Sequence, residues 1–147
     1  MNFEFSDEQN MLREQAQSFL KAECPPQAVR TVLDGDAAFD QGLWQKVVDM
    51  GWTATVIPEE YDGLGLSYLE LSVIAEELGR CLAPLPFSSS VYLATEAILA
   101  AGSDAQKAAW LPKLASGAVI GCLADSEANG HLTAAKLTTR YAQGAIT

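Results

Sequence analysis

Residues that could do chemistry are few and scattered in this chain. Three cysteines, Cys24, Cys81 and Cys122, form no CxxC pair, and the one histidine, His131, has no ligand-like neighbour. Such a pattern does not build a metal site, which needs several N or S donors at short spacings. The simple reading is reduced, partly buried thiols in a reducing compartment. Carboxylates stand side by side at Glu59-Glu60 and Glu76-Glu77, and Glu127 closely follows Asp125. A positioned carboxylate can serve as a general base or acid, yet on a helix or loop it is ordinarily a solvated charge. Solvation is the expectation for Glu59, Glu60, Glu76 and Glu77. The hydroxyl run Ser88-Ser89-Ser90 could cap a helix, which accounts for one serine. His131 reads as a turn residue, and Trp44, Trp52 and Trp110 read as core rather than ligand platforms.

The whole chain sets bounds on these groups. At 147 residues, 49% hydrophobic and 19% charged, it has the apolar material for one real core. Nine basic against 19 acidic residues give a net charge of −10. That charge repels phosphate backbones and anionic lipid, so no nucleic-acid partner is expected. The N-terminus lacks a basic segment followed by an apolar one, so it is no signal peptide. No apolar run approaches the roughly 20 residues of a membrane span. A soluble, cytoplasmic protein is the default expectation.

Helix signals dominate as far as Gly117. Ser6 and Gln9 form a capping box, and Leu12, Ala16, Phe19 and Leu20 follow on one face. Pro25-Pro26 closes that helix and opens a short second one with Val29, Val32 and Leu33 apolar, ended by Asp34-Gly35-Asp36. A third helix carries Leu43, Trp44, Val47 and Val48, with Gly51 suited to the position just past its end. Residues 52–65 lack periodicity and read as a packed loop. Ser67 and Glu70 make a second capping box, with Leu66 and Leu71 placed as a hydrophobic staple. Leu71, Ile74, Ala75, Leu78 and Leu82 are the predicted buried face there. A fifth helix from about Ser88 to Ala101 is apolar almost all round, which predicts a central position. Ser103 to Gln106 is a third box, opening a helix that Pro112 is expected to bend or split.

Beyond Gly117 the character changes. Residues 118–124 form a short continuous apolar run, predicted as a buried strand. Leu132 to Thr139 alternates, Gln143-Gly144 marks a turn, and Ala145-Ile146-Thr147 starts another strand. A chain that stops just past a turn leaves strand groups unpaired, which predicts a truncated chain or a proteolytic fragment. The fold expectation is an all-α N-terminal domain of about six helices, residues 1–117, followed by the first strands of an incomplete β-domain, residues 118–147.

Several segments follow one another along the chain. Ser6-Asp7-Glu8-Gln9 leads to Leu12-Arg13 and Phe19-Leu20. Leu43-Trp44-Gln45-Lys46 leads to Gly51-Trp52 and then to Pro58-Glu59-Glu60-Tyr61-Asp62-Gly63-Leu64-Gly65-Leu66-Ser67. Glu76-Glu77-Leu78-Gly79-Arg80 comes next, then Gly102-Ser103-Asp104 with Gln106-Lys107, Trp110-Leu111-Pro112 and Gly117. In order and spacing across residues 6 to 127, these pieces resemble the acyl-CoA dehydrogenase family. The resemblance covers essentially the whole chain but only the first part of the family's longer architecture.

That resemblance implies a three-part enzyme with a helical domain, a β-barrel-like middle domain and a helical bundle. It also implies FAD as cofactor, an acyl-CoA thioester as substrate, an electron-transfer partner, a place in fatty-acid or lipid β-oxidation, and a homo- or hetero-oligomer. A carboxylate takes the α-proton and the flavin takes the β-hydride, giving the 2,3-enoyl-CoA. The family's catalytic base and most of its cofactor site lie past residue 147, so no catalytic residue is assigned in this chain. One flavin-contacting stretch is partly present. Where the family has Thr-Glu before a Pro-Gly-Ala-Gly-Ser-Asp loop, this chain has Leu123-Ala124-Asp125-Ser126-Glu127 and then Ala128-Asn129-Gly130-His131. The resemblance assigns Leu123, Asp125 and Ser126 to the cofactor. It places Ser90 and Leu93 beside the acyl-chain pocket.

The departures leave two readings open. Asp125 stands where an apolar residue is usual, and the Gly-Ser-Asp stretch is absent. A carboxylate there disfavours electron-rich reduced flavin. Either the parent binds FAD in a variant way, or it is a non-catalytic structural subunit of a heteromeric acyl-CoA dehydrogenase with a degenerate flavin site. A free-standing helical binding module is a third possibility, against which the mid-strand ending counts.

Overall fold

A computed structural model of the chain describes residues 4–124 and 138–146. Among the described residues there are six α-helices, and one two-stranded sheet comes after them. None of these helices is long and apolar enough to cross a membrane.

α1 (Asp7–Glu23) and α4 (Tyr68–Arg80) start alike. In both, a serine side chain accepts from the first turn and the residue three later bonds back to the serine N–H. The two boxes are themselves joined, because the Gln9 amide donates to Glu70 Oε1 at 2.8 Å. The pairing sets α1 along α4, with Ala16 and Leu20 buried against Leu71, Ile74 and Leu78. α3 (Gln41–Asp49) adds Leu43, Trp44 and Val47 to this core. Between α1 and α3, α2 (Pro26–Leu33) has no buried residue, and Leu33 is 79% exposed rather than on a covered face. Eight residues give two turns of helix, too short to bury a stripe against the body of the domain.

The loop expected over residues 52–65 holds two 3₁₀ turns, Trp52–Ala54 and Glu59–Tyr61. Irregular as it is, its backbone is closed. Leu64 N–H donates to Ala54 O, Gly65 N–H to Ile57 O and Leu66 N–H to Thr55 O. Trp52 meets Phe19 of α1 edge-on, with ring centroids 5.4 Å apart. The Thr53 hydroxyl donates to Ala115 O at 2.7 Å. This fastens the loop to α6 (Asp104–Ala115), where Ile57, Leu111 and Leu114 form a second apolar cluster.

The predicted fifth helix is present in two winds. Residues Ser88–Thr95 are π-helical and run directly into α5 (Glu96–Ala101). Their buried side is Ser90, Val91, Ala94 and Thr95. α6 begins at the expected third capping box, but Pro112 does not split it. Pro112 lies near the helix end, so the lost N–H frees only the carbonyl of exposed Ala108, which water can reach.

Four other expectations are corrected. Leu82 lies past the end of α4 and is 73% exposed, whereas Val73 and Glu77 are buried within it. Glu77 is 2% exposed rather than solvated, because α1 lays Arg13 and Gln17 over it. Trp110 is exposed on the outer side of α6, with Lys113 over its ring at 4.9 Å. Residues 118–124 form no strand, and 118–119 are a bend. The sheet described is β1 (Tyr141–Ala142) paired antiparallel with β2 (Ala145–Ile146), so nothing among the described residues ladders with 118–124. In that hairpin Gln143 and Gly144 have φ of 52° and 80°, the left-handed pair that a two-residue type I′ turn requires.

Candidate functional site: the helix 88–101 and the segment 118–124

The π-helical stretch positions the first candidate residue. Ser90 is 1% exposed and points inward beside Val91 and Ala94. The Thr95 hydroxyl donates to Ser90 O, five residues back, at 2.9 Å. That is the spacing of a π turn, a wider wind that often marks functional positions. Sequence reasoning missed the π wind. Its available signal was the density of hydroxyls in Ser88-Ser89-Ser90 and Thr95, which compete for backbone partners.

Ser90 is also one contact between the helices and the segment 118–124. Its Oγ accepts from Gly121 N–H at 3.3 Å. Gly121 lies so close to the helix that a Cβ there would sit 2.5 Å from Ala94 Cβ. Val119 N–H donates to Lys113 O, a second tether for the segment. Thus a residue assigned to the acyl-chain pocket holds the backbone two positions before Leu123, assigned to the cofactor. Leu123 is 43% exposed and Leu93 is 42% exposed. Asp125 and Ser126, with Glu127 and His131, lie outside the described residues.

Glu96 was not singled out from the sequence, although it is the one charged residue between Ser88 and Ala101. Its Oε2 accepts from the Tyr68 hydroxyl at 2.8 Å. Its Oε1 is buried without a partner among the described residues. The Glu96 bond, with some burial, raises the Tyr68 phenol pKa above its usual range. Glu59, Glu60 and Glu76 are exposed. Glu77 is tied to Arg80 Nε at 3.1 Å and to the Gln17 amide at 3.0 Å, a structural role in the α1–α4 seam.

A family profile described as "Acyl-CoA dehydrogenase, N-terminal domain" matches residues 6–118. The chain belongs to the acyl-CoA dehydrogenase family. The acyl-CoA dehydrogenase IpdE2 of Mycobacterium tuberculosis is 36% identical over 118 residues, covering 80% of this chain and 36% of that protein. An acyl-CoA dehydrogenase of Bacillus anthracis complexed with FAD superposes with a TM-score of 0.80 at 26% identity, over 92% of this chain and 23% of that one. The ChsE4–ChsE5 complex of M. tuberculosis has a chain that superposes at 0.74 and 30% identity, over 82% of this chain and 33% of that one. The chain therefore spans about a third of the length of the curated relatives it matches first. Against an acyl-CoA dehydrogenase frame, residues 6–118 are the family's N-terminal domain, and 119–124 lie just beyond it.

Proposed function

We propose that this chain is the N-terminal part of an FAD-dependent acyl-CoA dehydrogenase that oxidises an acyl-CoA thioester to the 2,3-enoyl-CoA and passes electrons to a protein partner. Its helical domain is residues 1–117 and its β-domain starts at residue 118. The observation that carries this reading is the family match over residues 6–118, and the bond from Gly121 N–H to Ser90 Oγ supports it by tying residue 121 to the helix that the resemblance sets beside an acyl pocket. Among the described residues Leu123 is the one the resemblance sets against the flavin, and its apolar side chain is 43% exposed, which is compatible with an aromatic ring against it. Bound FAD would supply the hydride acceptor; the protein supplies orientation. Ser90 fixes the segment that carries Leu123, and Leu93 offers apolar surface to an acyl chain.

By this reading the 147-residue chain alone is inert and colourless. Leu123, Asp125 and Ser126 offer two or three contacts, each worth about 0.5–1.5 kcal/mol net. Fixing a dinucleotide costs on the order of 4–15 kcal/mol. The test is an absorbance scan after incubation with excess FAD and desalting. Retained stoichiometric flavin would show that this chain alone holds a complete cofactor site. The second reading, a non-catalytic subunit, rests on Asp125 where the family has an apolar residue. A full-length parent that purifies without flavin yet is required for a partner chain's activity selects it.

A further inference from the structure

Cys24 and Cys81 are 57 residues apart in sequence and adjacent in space. Each is the capping residue at the end of its helix, Cys24 on α1 and Cys81 on α4. The Cys24 sulfur lies 4.0 Å from Cys81 O, and the Cys81 thiol points back to Leu78 O at 3.4 Å. Both line one groove of about 1000 Å³ between α1, α2 and the end of α4, together with Leu20, Val29, Leu33 and Leu82. Both are free thiols, but they differ in access: Cys24 is buried and Cys81 is half-buried. Cys122, the third thiol, is exposed and lies in the 118–124 segment.

We propose that Cys24 and Cys81 form a reversible disulfide when a hydroperoxide enters this groove, Cys81 being oxidised first and Cys24 resolving it. In the first step Cys81–SH and ROOH give Cys81–SOH and ROH, so the peroxide O–O bond breaks and the sulfur is oxidised. In the second, the Cys24 sulfur displaces the hydroxyl of Cys81–SOH. The new S–S bond forms, and that hydroxyl leaves with the Cys24 proton as water. Two thiols thus supply the two electrons and two protons that reduce the peroxide. The order follows from access: Cys81 is half-buried and meets the oxidant first, whereas Cys24 is buried beside it. Cap positions suit the bond, because each cysteine lies just past the last regular turn of its helix. The bond would staple the ends of α1 and α4 whatever reaction the intact protein performs.

The experiment is to treat the reduced, folded chain with hydrogen peroxide or cumene hydroperoxide, block the remaining thiols with a maleimide, and map peptides without reduction. One alkylatable thiol of three should remain, on Cys122. The peptide carrying Cys24 should be linked to the peptide carrying Cys81, and a thiol reductant should release both. Closing a loop of this size should raise the melting temperature by roughly 5–15 °C. In Cys24→Ser, dimedone should trap a sulfenic acid at Cys81. Should that variant fold poorly, the map of the unmutated chain decides alone. Three alkylatable thiols after oxidant, linkage only through Cys122 between chains, or a Cys24–Cys81 bond formed only in denaturant would each overturn the proposal.

Discussion

Two runs of this chain rich in apolar residues, Ser88–Ala101 and Ala118–Ala124, have opposite outcomes. The first winds into helix, satisfies its own backbone, and buries Val91 and Ala94. The second forms neither helix nor strand, with Ile120 and Leu123 exposed, and the N–H groups of Val119 and Gly121 bond to Lys113 O and Ser90 Oγ. Apolar character alone therefore did not decide burial. A helix closes its hydrogen bonds within itself, whereas a strand needs a partner supplied from elsewhere in the chain.

If closure rather than regularity governs stability, the irregular loop 52–66 should be as intolerant as a helix. It contains the tightest glycine of the molecule's described part. A Cβ on Gly63 would fall 1.8 Å from Ile57 O, a backbone atom that cannot swing aside. Gly63→Ala should therefore cost about 4 kcal/mol or more, or prevent folding, since it must break the bonds from Gly65 and Leu66 back to Ile57 and Thr55. A chemical denaturation midpoint close to that of the parent would mean that the loop is softer than its bonds indicate.

The two regions can be compared directly by truncating a leucine in each. Leu111 is fully buried beneath the loop, so Leu111→Ala should cost about 2–5 kcal/mol. Leu123→Ala, at an exposed position, should stay within about 0.5 kcal/mol. Equal effects in urea denaturation would mean that the segment 118–124 is packed as a core element.

Legibility from sequence divides along the same line. Capping boxes at Ser6, Ser67 and Ser103 were readable because their bonds are local: residue n with residue n+3. Gly51 at φ 75° was readable because glycine best tolerates that backbone. The burial of Glu77 was not, since it depends on which residues of α1 lie across it. Nor was the exposure of Trp110, which depends on which side of α6 the loop covers. For the candidate site, the sequence placed Ser90 and Leu123 through family resemblance. The bond joining Ser90 to Gly121 needed the fold. Glu96, alone among apolar neighbours, could have been found by asking why a charge interrupts that run.

The α1–α4 seam offers a pH test of intermediate size. The Ser67 hydroxyl first, then the Gln9 amide, pull the Glu70 carboxyl down to about 2. A carboxylate depressed in the folded state contributes stability above its unfolded pKa and loses it as pH falls towards the folded value. The contribution is therefore present above about 4.5 and disappears between that pH and about 2. Ser67→Ala should cost about 1 kcal/mol at neutral pH through loss of the cap, and Glu70→Gln should flatten the acid limb of the stability curve. An unchanged acid limb in Glu70→Gln would remove Glu70 from the explanation.

The smallest expected effect concerns how helices stop. Gly51 lies two residues past α3 and Leu82 two residues past α4, and both have left-handed backbone, φ 75° and 54°. At α4 the termination is a Schellman motif, with Ala83 N–H bonded to Leu78 O and Leu82 N–H to Gly79 O. The same backbone is thus carried by glycine in one place and by leucine in the other. A branched side chain in this region costs about 1–2 kcal/mol relative to glycine, and Leu82, largely exposed, recovers little of that by packing. Leu82→Gly removes the strain but enlarges the freedom of the unfolded chain, which offsets part of the gain. The net expectation is a stabilisation of up to about 1 kcal/mol, against a loss of about 1 kcal/mol for Gly51→Ala. Thermal melts of the two variants should move in opposite directions. A destabilised Leu82→Gly would mean that the side chain is held by contacts stronger than its exposure implies, and that α4 ends in leucine for the sake of the groove beside it.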